Sequence, residues 1–209
     1  MEEDKVENFV EELQNFHGEF ADGFARSEPR GNFFDYTVGR FSHLERKSDE
    51  PIAVSVNGIN SVRSMQRTIS DAVWYEDKIL YRYQDMVSQE MGDPDGVLMF
   101  DESGFLKKGE CSAGVARQYC GEAGKVENCQ NGVFAGYASP KGYVLLDKRL
   151  FIPGKWFEDD YEDRRNKCGI PEDIIFKSKP ELAAEMYRDT VGRDAVPFRY
   201  VVADTVYGN

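Results

Sequence analysis

Two aspartates follow short apolar runs at widely separated points of the chain. Asp101 comes directly after residues 97–100, and Asp204 comes directly after residues 200–203. An apolar run of this length, closed by a Gly-containing turn signal, predicts a buried strand. Two such strands, each delivering an Asp at its C-terminal end, suit a site that holds a hard cation with carboxylate oxygens.

The first of these stretches also has a plainer explanation, in which Asp101 caps a turn and Glu102 faces water. Burying a carboxylate is costly unless a positive partner offsets its charge. Mg²⁺ is usually held by one or two carboxylates plus substrate phosphates. Two such ions can activate the attacking oxygen and stabilise the leaving oxygen in phosphodiester chemistry. Recurrence of the pattern at Asp204 favours the metal interpretation.

Composition indicates a soluble globular chain. The 209 residues are 41% hydrophobic and 31% charged, which suits one large domain or two small ones. No apolar run approaches the roughly 18 residues that span a membrane. The acidic N-terminus MEEDKVENF lacks the apolar segment of a signal peptide. We therefore expect a cytoplasmic protein that does not interact with membranes.

The cysteines and histidines exclude some kinds of site. None of the four cysteines forms a CxxC pair and only two histidines exist, which argues against structural zinc. Without a secretion signal, reduced thiols are expected. Both histidines, His17 and His43, lie far in sequence from Asp101 and Asp204. A Cys–His or Ser–His–Asp nucleophile is therefore weakly supported.

Charge is distributed unevenly along the chain. The net charge is −12; residues 1–96 hold 20 acids and 10 bases, and residues 97–209 hold 18 acids and 16 bases. Net charge alone makes such a chain a poor nonspecific binder of DNA. DNA binding would therefore depend on local clusters of basic residues.

Helical periodicity dominates the first part of the chain. Helices are predicted over 4–24, 32–44, 49–56, 60–72 and 75–90, with Pro29 and Gly31 breaking the first pattern. The loop 92–96 (GDPDG) is the candidate domain boundary.

One pair of these helices could read DNA. A short helix ends near Asn57-Gly58, and the next helix has Val62 and Met65 on one face, with Arg63, Gln66 and Arg67 on the other. Ile59 and Ile69 are predicted to share the face of Val62 and Met65. A helix, a Gly-containing turn and a second helix with exposed Arg and Gln could be a helix-turn-helix. Two packed helices of an ordinary bundle explain the pattern equally well.

After the loop the periodicity changes to that of a sheet. Strands are predicted at 97–100, 132–137, 142–152 and 200–203, a loop with a short helix at 153–171, and a helix at 180–191. This order is compatible with the start of an RNase H-like α/β sheet. In such sheets the first strand is central and pairs with the fourth, which would bring Asp101 and Asp204 together.

Several motifs then occur in order: DESGFLKKG (101–109), GVARQYCG (114–121), KVENCQNGVFAGYASPKGY (125–143), KPELAAEM (179–186) and VVADTVYG (201–208). Together they resemble a DDE-type insertion-sequence transposase. The resemblance implies an RNase H-like core that cuts and joins DNA strands with two Mg²⁺ ions, or with Mn²⁺. It further implies binding to transposon ends and a bacterial, nucleoid-associated location. Whether copies of the chain form a homo-oligomer stays open. Asp101 matches the first acid of the triad and Asp204 the second.

The family's third acid has no counterpart. It is a Glu on a helix well after the second Asp, whereas the sequence ends at Asn209. Glu102 is a poor substitute, because neighbouring side chains of a strand point to opposite faces. We therefore expect the N-terminal part of a transposase of mixed α+β or α/β class, with a helical region (1–92) and an incomplete RNase H-like core (97–209).

Two alternatives stay open at this point. One is an inert remnant that binds DNA or associates with the full-length protein, and the other is an unrelated α/β metal-binding protein. Under the resemblance, Lys107, Lys108 and Arg117 could contact phosphates. They could equally belong to a solvated basic loop. An uncovered far edge of the last strand would carry an aggregation risk.

Overall fold

The structure is a computed structural model that describes residues 2–208. The chain divides into two compact units, the first ending at Tyr83 and the second beginning at Gln84. The first unit is helical, and the second contains the sheet. This is the mixed helix-and-sheet class expected from the sequence.

Helices make up most of the secondary structure of the first unit. They are α1 (Glu2–Gly18), α2 (Ser27–Phe41), α3 (Asp49–Asn57), α4 (Val62–Ser70) and α5 (Glu76–Met91), the last of which continues across the boundary into the second unit.

The prediction that Pro29 and Gly31 break the helical pattern is wrong, because both lie inside α2. Pro29 is the third residue of α2, where a backbone N–H has no intrahelical acceptor, so a proline costs little there.

A small core holds α2, α3 and α4 together. Buried residues form its centre and half-buried ones surround it: Ile52, Ala53, Met65, Tyr36, Leu44, Val56 and Val62. Gly39 lets Ile52 approach closely, since a Cβ at that glycine would lie 2.3 Å from an Ile52 methyl carbon. Ile59 and Ile69, predicted to share the face of Met65, are instead 69% and 55% exposed.

The second unit is a five-stranded mixed sheet with helices. Its strands are β1 (Val97–Leu106), β2 (Ala116–Cys120), β3 (Lys125–Ser139), β4 (Gly142–Phe151) and β5 (Tyr200–Ala203). The order is β2-β3-β1-β5, and β4 also pairs with β3. All pairings are antiparallel except β1 with β5, which is parallel.

Two predictions about the start of the sheet are wrong. β1 continues to Leu106, so Asp101 lies inside the strand and Ser103-Gly104 is not a turn. On one side β1 pairs with β3 along its whole length, and this pairing carries it past the predicted end. β2 lies within a segment for which the sequence pattern predicts no strand.

Helices α6 (Glu162–Lys167) and α7 (Lys179–Gly192) follow β4. A capping box between Ser178 and Glu181 starts α7, which satisfies backbone donors that have no partner within the helix. Leu182 and Met186 of α7 are buried, and α7 packs against β3 and β4. Among the described residues, no helix combines the length and apolarity that crossing a membrane requires.

Candidate metal centre

The register of two parallel strands places Asp101 beside Asp204. β1 and β5 pair over four residues each, and the last pair is Phe100 with Ala203. Asp101 is the next residue of β1, and Asp204 directly follows the last residue of β5. Neighbouring strands lie about 4.8 Å apart, and register partners point to the same face of a sheet. The predicted pairing of the first strand with the last is therefore confirmed.

Both carboxylates are held by the backbone that follows them. The N–H of Glu102 donates to Oδ1 of Asp101 at 2.8 Å. The N–H of Thr205 donates to Oδ1 of Asp204, and its hydroxyl lies 3.2 Å from the same oxygen. Within residues 2–208, Oδ2 of neither aspartate accepts a hydrogen bond, and both residues are exposed. One oxygen of each is thus available to a ligand.

This donor set fits a hard divalent cation as a partial site. Of the residues that the structure describes, no three His, Cys, Asp or Glu side chains form a group that could hold a metal. Two carboxylates at adjacent strand positions nevertheless match the way Mg²⁺ is commonly bound, with substrate phosphates and water completing the shell. Asp101 and Asp204 are the residues that would hold the ion.

Glu102 makes a different set of contacts from its neighbour. Its Oε1 accepts from Nζ of Lys179 at 2.9 Å, and its Oε2 accepts from the hydroxyl of Tyr207 at 2.8 Å. The side chains of Glu102 and Lys179 are only 23% and 17% exposed. Both carboxylate oxygens of Glu102 are therefore already bound to donors.

Tyr207 belongs to the turn that follows Asp204. Its backbone N–H donates to the carbonyl of Asp204 at 2.9 Å. Burial raises the pKa of the Tyr207 hydroxyl, and the hydrogen bond to Glu102 and the charges of Asp101 and Asp204 raise it further. Tyr207 is therefore a neutral donor at ordinary pH, within electrostatic range of three carboxylates.

The basic residues of the sheet unit that were predicted to contact phosphates lie near Asn128 of β3. The N–H of Lys107 donates to the carbonyl of Asn128, and Arg117 is the register partner of Asn128 on β2. Lys107 is half-buried, whereas Lys108 and Arg117 are exposed. Their side chains border the sheet and are accessible at its surface.

In the first unit, Arg63, Gln66 and Arg67 are exposed on α4, as predicted. Arg63 and Arg67 line a groove of about 550 Å³ together with Arg26, the residue before α2. Within the described residues, none of these three arginines forms an ion pair. No sequence pattern indicates a role for Arg26, because only the folding of α2 against α4 brings it to this groove.

Comparison with known proteins identifies the family. A family model described as DDE superfamily endonuclease matches residues 19–209. A probable transposase for insertion sequence element IS701 from Microchaete diplosiphon is 27% identical over 176 residues, covering 82% of this chain and 41% of that protein. The chain thus spans about two fifths of that relative's length. No solved structure matches. The predicted family is confirmed: this chain belongs to the DDE superfamily endonucleases.

Proposed function

We propose that this chain supplies the first two acids of a transposase that cuts and joins DNA strands at the ends of an insertion sequence. The parallel register of β1 and β5, which places Asp101 beside Asp204, is the observation that carries the proposal. The family and the relative's printed description as a transposase support it. In this proposal residues 97–209 form the catalytic region and residues 1–92 a DNA-binding region.

The sheet supports an RNase H-like arrangement of the catalytic region. β1 is central, with antiparallel β3 on one side and parallel β5 on the other. Asp101 lies on the central strand and Asp204 directly follows its parallel neighbour, at the point where the pairing of the two strands ends. A phosphodiester approaching that point would meet two carboxylates, each held in place by the backbone N–H of the residue that follows it.

Divalent cations bound there, Mg²⁺ or Mn²⁺, would supply activation of the attacking oxygen and stabilisation of charge on the leaving 3′ oxygen. The free Oδ2 atoms of Asp101 and Asp204 would hold the cation. The backbone donors fix the side-chain orientation of both acids, so less conformational freedom is lost on binding.

DNA phosphates are the proposed ligands of the groove between α2 and α4. Arg26, Arg63 and Arg67 give it a local positive charge within an acidic chain, and local charge governs phosphate binding more directly than net charge does. Glu28 and Asp71 also line the groove, so the three arginines outnumber two carboxylates there, and Glu28 accepts the Ser64 hydroxyl at 2.9 Å. Gln66 on the exposed face of α4 is placed to contact bases, as in a helix-turn-helix.

Salt-dependent binding of duplex DNA tests this groove. Replacing Arg63 and Arg67 with Gln should weaken binding and reduce the slope of log K against log [salt] by about 1 for each phosphate that the chain no longer neutralises. Arg46→Gln is the control, because Arg46 is exposed in the same unit but does not line the groove. Unchanged affinity in the double variant would contradict the assignment. Charge reversal at Lys107 and Lys108 tests the sheet residues in the same way.

Strand cleavage tests the acids. Nicking of DNA carrying the element's ends is measured in Mg²⁺ or Mn²⁺ for the unmodified chain, Asp101→Asn and Asp204→Asn. Asp173→Asn is the control, because Asp173 is an exposed residue in a loop. The proposal is supported if Asp101→Asn and Asp204→Asn both abolish nicking while the Asp173→Asn control keeps it. Nicking that survives in either site variant contradicts it. DNA binding without nicking would assign cleavage to residues outside this chain.

A further inference from the structure

We infer that Tyr207, Glu102 and Lys179 form a positioning network that sets the separation of Asp101 and Asp204, and hence the affinity of the pair for a divalent cation. The inference rests on the proposed metal-binding role of the two aspartates. It assigns no metal contact to the three residues themselves.

The first argument is the place where the strands stop pairing. Backbone pairing of β1 with β5 ends at Phe100 and Ala203, just before the two acids. Beyond that point, the described residues show no further backbone hydrogen bond between the two segments. The Tyr207 hydroxyl, bonded to Glu102 at 2.8 Å, is the link that joins them there. Glu102 lies one residue past the first acid, and Tyr207 lies three residues past the second.

The second argument is the rigidity of both ends of this link. Glu102 is fixed in β1 by its pairing with Val133 of β3. Tyr207 is fixed to Asp204 by the turn hydrogen bond of its backbone N–H. A change in the distance between Tyr207 and Glu102 would therefore move Asp204 relative to Asp101.

The third argument concerns charge. Glu102 places a third carboxylate near the pair, and the ammonium of Lys179 offsets it at 2.9 Å. Lys179 is the first residue of α7, where the adjoining capping box fixes the backbone, and its Nζ lies 5.6 Å from the Phe151 ring centre. The ion pair holds the Glu102 carboxylate in place as an acceptor for Tyr207.

Mn²⁺ affinity of the whole chain, measured by electron paramagnetic resonance of the free ion, tests the network without requiring activity. Tyr207→Phe removes only the hydroxyl and should weaken binding roughly tenfold, at the low end of the cost of losing an outer partner of a metal site. Tyr200→Phe is the matched control, since Tyr200 is an exposed tyrosine of β5 and its hydroxyl forms no hydrogen bond with a described residue. Unfolding temperature is measured alongside.

Glu102→Gln and Lys179→Gln extend the test if Tyr207→Phe does not fold. Each substitution should weaken Mn²⁺ binding and change the spectrum of the bound ion. If the variant unfolds at the same temperature as the unmodified chain, a loss of packing does not explain such changes. Wild-type Mn²⁺ affinity in a folded Tyr207→Phe chain would overturn the inference. If Asp101→Asn and Asp204→Asn abolish binding while Tyr207→Phe does not alter it, the network fails and the proposed function stands. Binding unaffected by either Asp substitution would remove the proposed function itself.

Discussion

The hydroxyl of Tyr207 donates to the carboxylate of Glu102 at 2.8 Å, across 105 residues of sequence. Each of these residues lies close after one of the two acids, so this hydrogen bond joins the stretches that follow Asp101 and Asp204, beyond the backbone pairing of β1 with β5. The backbone register brings the acids to the same place, and the side-chain contact holds that place where the register ends. The candidate site is thus built from two distant segments of the chain.

Replacing Gly104 with Ala should destabilise the sheet unit. An added Cβ would lie 2.8 Å from Oδ1 of Asn131 and 2.9 Å from Sγ of Cys120, both in buried residues. Overpacking of this kind costs about 1–3 kcal/mol of unfolding free energy, which denaturant titration measures. Gly109→Ala is the control, because a Cβ there would meet no atom within 4 Å. Equal stability of the two variants would show that β1 can shift to make room.

Stability of the helical unit should fall as pH decreases through about 6.5, the ordinary pKa of histidine. Burial lowers the pKa of His17 in the folded state, so the unfolded chain binds the proton more readily. Stability is therefore greatest above the unfolded pKa and decreases until the pH falls below the folded pKa.

His17→Gln should flatten this pH dependence as the pH falls below the ordinary histidine pKa of about 6.5, measured by denaturant unfolding at each pH. Glutamine can keep an N–H donor to the carbonyl of Arg30, which the His17 ring contacts at 2.9 Å. His43→Gln, at a second histidine of the same unit, is the control and should keep the slope. If the dependence of stability on pH were unchanged in His17→Gln, titratable groups other than His17 would cause it.

If copies of the chain pair through the free edge of β5, Val202→Lys should reduce that self-association. The far edge of β5 pairs with no strand among the described residues, and Val201 and Val202 are 49% and 55% exposed. Lysine on an edge strand opposes pairing between copies. Light scattering against protein concentration measures the effect. Val191→Lys, on the 51% exposed Val191 of α7, adds the same charge elsewhere. If both variants reduced self-association equally, the added positive charge would explain the effect, and the edge of β5 would have no special role.

Local patterns were sufficient to predict the elements that carry the acids. The apolar runs before Asp101 and Asp204 predicted strands, and the helical periodicity after residue 60 predicted α4. The prediction that the strand before Asp204 is buried is wrong, because β5 lies at the edge of the sheet and all four of its residues are exposed. These signals are local because strands and helices bury residues with fixed periods. The order of the predicted strands, compared with that of an RNase H-like sheet, then predicted the pairing of the two strands.

Features that depend on tertiary contacts could not be predicted in this way. β2 is short and carries polar residues, and its strand conformation comes from pairing with β3. Gly104 resembles a turn residue, yet it sits inside β1 because Asn131 and Cys120 pack against it. The contacts of Glu102 join three segments, so no spacing along the chain could indicate them.

Mn²⁺ binding to four forms of the chain tests the central claim, that Asp101 and Asp204 form one metal site. The forms are the unmodified chain, Asp101→Asn, Asp204→Asn and the double variant. If the acids share an ion, each single substitution should remove most of the affinity, and the double variant should lose little more, because contributions to one site are not additive. Wild-type affinity in either single variant, or losses that add as for independent sites, would contradict the claim.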